Sequence, residues 1–159
     1  MKPRGHRRAP AFTIAEVLIA MALVALLMAA AAMAIQAASS AHAYNLEKTD
    51  LLARSRGVLD RIARHVRLSA SFSVPDAHTL IVTLPDETVH TYAWDATVGG
   101  TLTYTKTDGL VSESGVLTDR VESFTASDDS PACTVRISLK GALASSGASL
   151  TATPRKSVY

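Results

Sequence analysis

One carboxylate stands inside the most apolar stretch of this chain. Glu16 interrupts the run Ala11-Phe12-Thr13-Ile14-Ala15-Glu16-Val17-Leu18-Ile19-Ala20-Met21-Ala22-Leu23-Val24. A charged side chain at mid-bilayer costs about 2.5–3.5 kcal/mol on insertion scales, and less near the interface. An acid retained there needs a cation or a hydrogen-bond donor. The other residues able to do chemistry are scattered. The histidines His6, His42, His65, His78 and His90 form no site by their spacing. Asp128 and Asp129 are candidate calcium ligands, but no further carboxylate pattern accompanies them and a solvated turn is the simpler reading. Cys133 is the only cysteine, which excludes an intrachain disulfide and a Cys-based metal cluster. It reads as a buried thiol in a strand. There is no nucleophile elbow, phosphate loop or paired-carboxylate motif, so no catalytic residue and no cofactor is assigned and the chain reads as a non-enzyme.

Glu16 must be positioned by a helix. Residues 12–38 carry that single charge, and as a helix they would be roughly 40 Å long, enough to cross a hydrocarbon core of about 30 Å. Lys2, Arg4, Arg7 and Arg8 precede the segment, which places the N-terminus in the cytoplasm and the C-terminal part outside it in a single pass. Large apolar side chains dominate to Met28; Ala29 to Ala32 and Ala37-Ala38 follow. Small residues let helices approach closely in lipid, so the composition suits a bundle better than a solitary anchor.

These features together resemble the type IV pilin-like family: a basic leader, a small residue before Phe12, then Thr13, Glu16, Val17, Leu18 and a long uncharged run. The resemblance covers Lys2 to about Ala38. It implies that a prepilin peptidase cuts between Ala11 and Phe12, that Phe12 is N-methylated, and that Glu16, then the fifth residue, serves assembly with neighbouring subunits. It further implies an inner-membrane subunit that meets an assembly platform and other pilin or pseudopilin subunits in a filament. Ala11 stands where the family usually has Gly, and Ala15 where a larger aliphatic residue is common. With no proline in the membrane helix, no disulfide and a small head, the closer likeness is to a minor pilin or a type II secretion minor pseudopilin.

Cleavage would create a cationic amine at Phe12. Two unit charges about 4 Å apart attract by roughly 4 kcal/mol at an effective dielectric of 20, comparable to the cost of burying the acid. Spacing alone leaves open a pair within one helix, a pair with the adjacent subunit, and a Glu16 that snorkels without a partner. A competing reading takes Ala41-His42-Ala43 as a signal-peptidase site releasing a protein that starts at Tyr44. The apolar run is far longer than the 7 to 15 residues or so of a signal core.

Beyond the membrane segment, residues 39–69 read as an amphipathic stalk. Leu51, Leu52, Val58, Leu59, Ile62 and Val66 recur at helical spacing, with Arg54, Arg56, Arg61, Arg64 and Arg67 around the rest and a bend expected at Gly57. Residues 70–159 switch to period two and predict an antiparallel head. The expected strands are 79–84, 88–95, 101–107, 110–112, 120–127, 133–139 and, as an edge, 149–153, separated by turns at Pro85-Asp86-Glu87, Gly99-Gly100 and Asp108-Gly109 and by a break at Asp128 to Pro131. Gly141 to Gly147 reads as a loop. Tyr92 and Trp94 read as packing residues. The fold class is therefore α+β, a long N-terminal helix packed on a small antiparallel β head, after a leader at 1–11.

The formal charge of +2 comes from the leader: without its four cations, 12 Lys+Arg face 14 Asp+Glu. A chain that is net negative argues against general nucleic-acid affinity, and no aromatics interleave with the arginines to stack bases. The alternatives are a DNA-uptake or adhesive minor pilin, which the basic stalk permits, and a signal-peptide-bearing or membrane-anchored envelope protein.

Overall fold

The computed structural model describes residues 13–95 and 100–154. Helix α1 spans Ile14–Leu68, 55 residues. Thr13 caps it: Thr13 O accepts from the Glu16 and Val17 amides at 3.1 and 3.3 Å, and Thr13 Oγ1 lies 3.3 Å from the Glu16 amide. The helix continues through Gly57, because a Cβ-free residue in an otherwise strong helix costs only about 1 kcal/mol. The chain divides into two compact units inside this helix, at His42/Ala43.

In the first unit the helix is apolar all round and none of its most apolar 18-residue window is buried. Ile14, Leu18, Met21, Leu26, Met28 and Ile35 are all exposed. A helix this apolar on every face belongs in lipid or among other apolar helices.

In the second unit the helix becomes amphipathic. Leu51, Ser55, Val58, Leu59, Ile62, Ala63 and Val66 form its buried face. Ser55 is tolerated there because its hydroxyl donates to Leu52 O at 3.1 Å. Eight strands follow: β1 (Ser71–Asp76), β2 (Thr79–Thr83), β3 (Val89–Asp95), β4 (Thr101–Asp108), β5 (Val111–Thr118), β6 (Val121–Asp129), β7 (Ala132–Lys140) and β8 (Ser145–Ala152). They form two antiparallel sheets, a meander β1-β2-β3-β4-β5 and a three-stranded sheet β6-β7-β8. The sheets meet where β1 approaches β6: the Ala126 amide donates to Ala77 O at 2.8 Å.

The strands form for the expected reason, alternation. His90, Tyr92 and Trp94 face inward while Val89, Thr91 and Ala93 face out; Cys133, Val135, Ile137 and Leu139 are buried between less buried neighbours. Ile62, Val66, Leu80, Val82, Tyr92, Leu102, Phe124 and Leu139 are fully buried and share one core. Burying each such aliphatic or aromatic side chain contributes about 1.5–3 kcal/mol, which is why the amphipathic part of α1 is part of the head.

Four strand boundaries differ from expectation. β1 is a strand despite Pro75, because it is a sheet-edge strand whose register slips between Ser73 and Asp76. The β4–β5 hairpin turns one residue later than Asp108-Gly109 suggested: Asp108 pairs with Val111, leaving Gly109 (φ 57°) and Leu110 as the loop, a glycine-first turn whose positive φ suits the hairpin twist. β5 runs to Thr118 and β8 starts at Ser145, because Gly115 and Gly147 lie within paired strands. Gly100 (φ 66°) is also fixed by sterics, since a Cβ there would run into Val121 O.

Candidate functional site

Three groupings of polar side chains stand out. The first is the start of α1. Thr13 and Glu16 occupy the cap and third helical positions, the spacing of a capping box. Glu16 is exposed in the first turn, where the helix dipole favours an anion. With Val17, Ala20, Met21, Val24 and Ala25 it lines an open groove along the apolar helix. The carboxylate is thus presented laterally, beside a strip of apolar and small side chains. Ala11 and Phe12, the expected cleavage pair, lie outside the described residues.

The second grouping pins the amphipathic helix to a loop. The Glu47 carboxylate accepts from the backbone amides of Ala142 (2.8 Å), Leu143 (2.6 Å) and Ala144 (3.0 Å). Three donors stabilise the ionised form, so the amides of Ala142 and Leu143, chiefly, hold this carboxyl below the usual glutamate range. A Cβ at Gly141 would crowd the Glu47 carboxylate and displace it from this position. Contacts across some 95 positions leave no local signal.

The third grouping is a cluster of rings between α1 and the larger sheet. Tyr92 OH lies 2.6 Å from His65 Nδ1 and Tyr104 OH lies 2.8 Å from His90 Nδ1. The two imidazoles stack, centroids 4.0 Å apart and planes 20° apart. The Arg61 guanidinium sits over the Tyr104 ring at 4.0 Å. Burial above all, then the charges of His90, Arg61 and Arg64, lowers His65 to about 4. Burial and the Lys106 charge lower His90. Histidines without a common sequence spacing are here brought together by the fold. The alternation that turns His90 inward with Tyr92 was the one legible hint.

The remaining candidates are placed as follows. Asp128 and Asp129 end β6: Asp128 Oδ1 accepts from the Ser130 amide at 3.0 Å and Asp129 Oδ2 from Ser127 Oγ at 3.1 Å. Their oxygens serve the β6–β7 turn. Among the described residues no group of three or more His, Cys, Asp or Glu converges as a metal site. Cys133 is buried, and burial, then the nearby Asp128 and Asp129 charges, pushes its thiol up to about 11. Trp94 packs edge-on against His78 at 4.9 Å. Of the stalk arginines, Arg54 pairs with Asp50 at 2.9 Å, while Arg56, Arg64 and Arg67 are exposed.

Residues 6–32 match the family model described as the prokaryotic N-terminal methylation motif. This is the type IV prepilin-like signal, and it spans the end of the leader, the Ala11–Phe12 junction and Glu16. No curated protein and no solved structure matches the chain. The match gives the chain a pilin-like N-terminal signal, of the kind that prepilin peptidase processes in pilin-type subunits. The motif and the long apolar helix together mark the segment as an inner-membrane anchor.

Proposed function

We propose that this protein is a non-enzymatic structural subunit, a minor pilin or pseudopilin, of a type IV pilus or a type II secretion-like filament. In this reading prepilin peptidase cuts between Ala11 and Phe12, Phe12 is N-methylated, and the head lies outside the cytoplasm after a single membrane pass. The subunit then enters the filament from an assembly platform through its N-terminal helix.

The observation that carries the reading is a single exposed acid, Glu16, in the first turn of a helix whose early part is apolar, unburied and overlapped by the methylation motif. A filament core supplies what such a helix lacks, namely apolar neighbours on every side and a cation for Glu16. The freed amine of Phe12 on the adjacent subunit is that cation. An attraction of about 4 kcal/mol at 4 Å and an effective dielectric of 20 offsets the burial of the acid only when amine and carboxylate meet. The pairing therefore favours assembled over isolated subunits and sets their axial register.

The test is Glu16→Leu in the native host. It should insert in the membrane and be cleaved, yet enter filaments at least tenfold less than wild type. Incorporation equal to wild type would refute the role given to Glu16.

A further inference from the structure

The ring cluster on α1, β3 and β4 takes no part in assembly through the N-terminal helix. Its geometry nevertheless depends on charge state. For Tyr92 and Tyr104 to donate to His65 and His90, both Nδ1 atoms must be unprotonated. A proton on either Nδ1 reverses that bond, with the imidazolium N–H donating to the tyrosine oxygen, and puts a positive charge against the neighbouring ring. Imidazoles stacked at 4.0 Å also cannot both be charged without repulsion at close range.

We propose that this cluster is an acid-sensitive clasp. Unprotonated, the His65–His90 stack and the Tyr92–His65 bond hold the C-terminal part of α1 on the sheet. Protonation of either ring releases that end of the helix from β3 and β4.

The surroundings on every packed element favour release. From α1, Arg61 and Arg64 face the rings; from β4, Lys106; from β3 and β4, the neutral Tyr92 and Tyr104. Strand β2 contributes only Leu80 and Val82, opposite Tyr92 and His90. Asp86, in the β2–β3 turn, is the one acid that opposes the trend. An added proton thus enters a site already rich in cations and only partly open to water: His90 and Tyr92 are buried, His65 and Tyr104 half-buried. Since His65 and His90 titrate below their ordinary value in the folded chain, the clasp's stabilisation is complete above the unfolded histidine range near 6.5. It is lost progressively as the pH falls from there towards about 4. The device is independent of the filament reading and is tested on the isolated chain, so failure of one leaves the other standing.

The experiment uses the full chain in detergent micelles, melted at pH 7.5 and pH 5 with Trp94 fluorescence as the probe. Most carboxylates stay ionised over this window. The wild-type midpoint should fall by about 5 °C on acidification, and His65→Leu/His90→Leu should lose less than half of that. A double variant whose two midpoints drop in parallel with wild type would overturn the clasp, since purely structural packing shifts both alike. Should the variant not fold, the histidine ring resonances of the wild type decide. Two rings titrating well below 6.5, with tyrosine signals changing alongside, support the clasp; rings titrating at 6.5 without change in Tyr92 or Tyr104 refute it.

Discussion

Ile62→Ala tests whether the amphipathic half of α1 is structurally part of the head. Ile62 is 0% exposed and packs in the core shared with Val66, Tyr92 and Phe124. The substitution removes three carbon atoms, about 0.8 kcal/mol each in transfer, or about 2.4 kcal/mol. The cavity left on a face bounded by sheet on one side and helix backbone on the other adds to this, giving about 3–4 kcal/mol, inside the range for aliphatic truncations. Against a typical domain stability of about 5–15 kcal/mol this is a large fraction. Urea unfolding of the full chain in micelles, followed by the single tryptophan, Trp94, measures it. Leu18→Ala is the matched control: Leu18 is 61% exposed in the apolar unit and should change the midpoint by less than about 0.5 kcal/mol. A cost below about 1 kcal/mol for Ile62→Ala, or equal costs for the two variants, would refute the packing argument.

Other expectations follow from single contacts. Glu47→Gln should lower the melting midpoint at pH 7; because the folded carboxyl titrates below its ordinary value, that difference should be fully present above the unfolded glutamate range and vanish as the pH falls through the folded one. Gly100→Ala should destabilise the head by at least about 1 kcal/mol, since positive φ and the contact with Val121 O both oppose a side chain; an unchanged midpoint would refute this. Cys133 should react with a thiol reagent at pH 8 at least about a hundredfold more slowly in the folded chain than in urea, because it is buried and its thiol is pushed up to about 11. Equal rates would show the β6–β7–β8 sheet to be open.

The parts of the fold carried by period were legible. Apolar spacing placed Leu51, Val58, Leu59, Ile62 and Val66 on the buried face, and alternation placed Cys133 inside. Elements whose signal is not hydrophobic were missed or cut short. β5 is exposed over most of its length and contains Gly115, so nothing in its side chains marks it; its backbone pairing with β4 alone makes it a strand. β1 was hidden by Pro75, which only an edge position tolerates. The division of the strands into two sheets was not legible, because strand order depends on contacts such as Ala126 with Ala77 that no local pattern records.

The site was legible to the same degree. Glu16 declares itself by being charged among apolar residues, whereas the capping role of Thr13 emerges only from the structure. The Glu47 latch and the His65–His90 stack join segments far apart in sequence, and both need the tertiary fold to be seen. Asp128 and Asp129, adjacent and conspicuous, turned out to be occupied with their own turn.

The most direct test of the account is the intact mass and N-terminal sequence of the protein purified from its native host. The account predicts a chain that begins at Phe12 with one methyl group on its α-amine and retains Glu16. A chain beginning at Tyr44, with the apolar helix and Glu16 removed, would contradict it, as would one that still carries the leader from Met1.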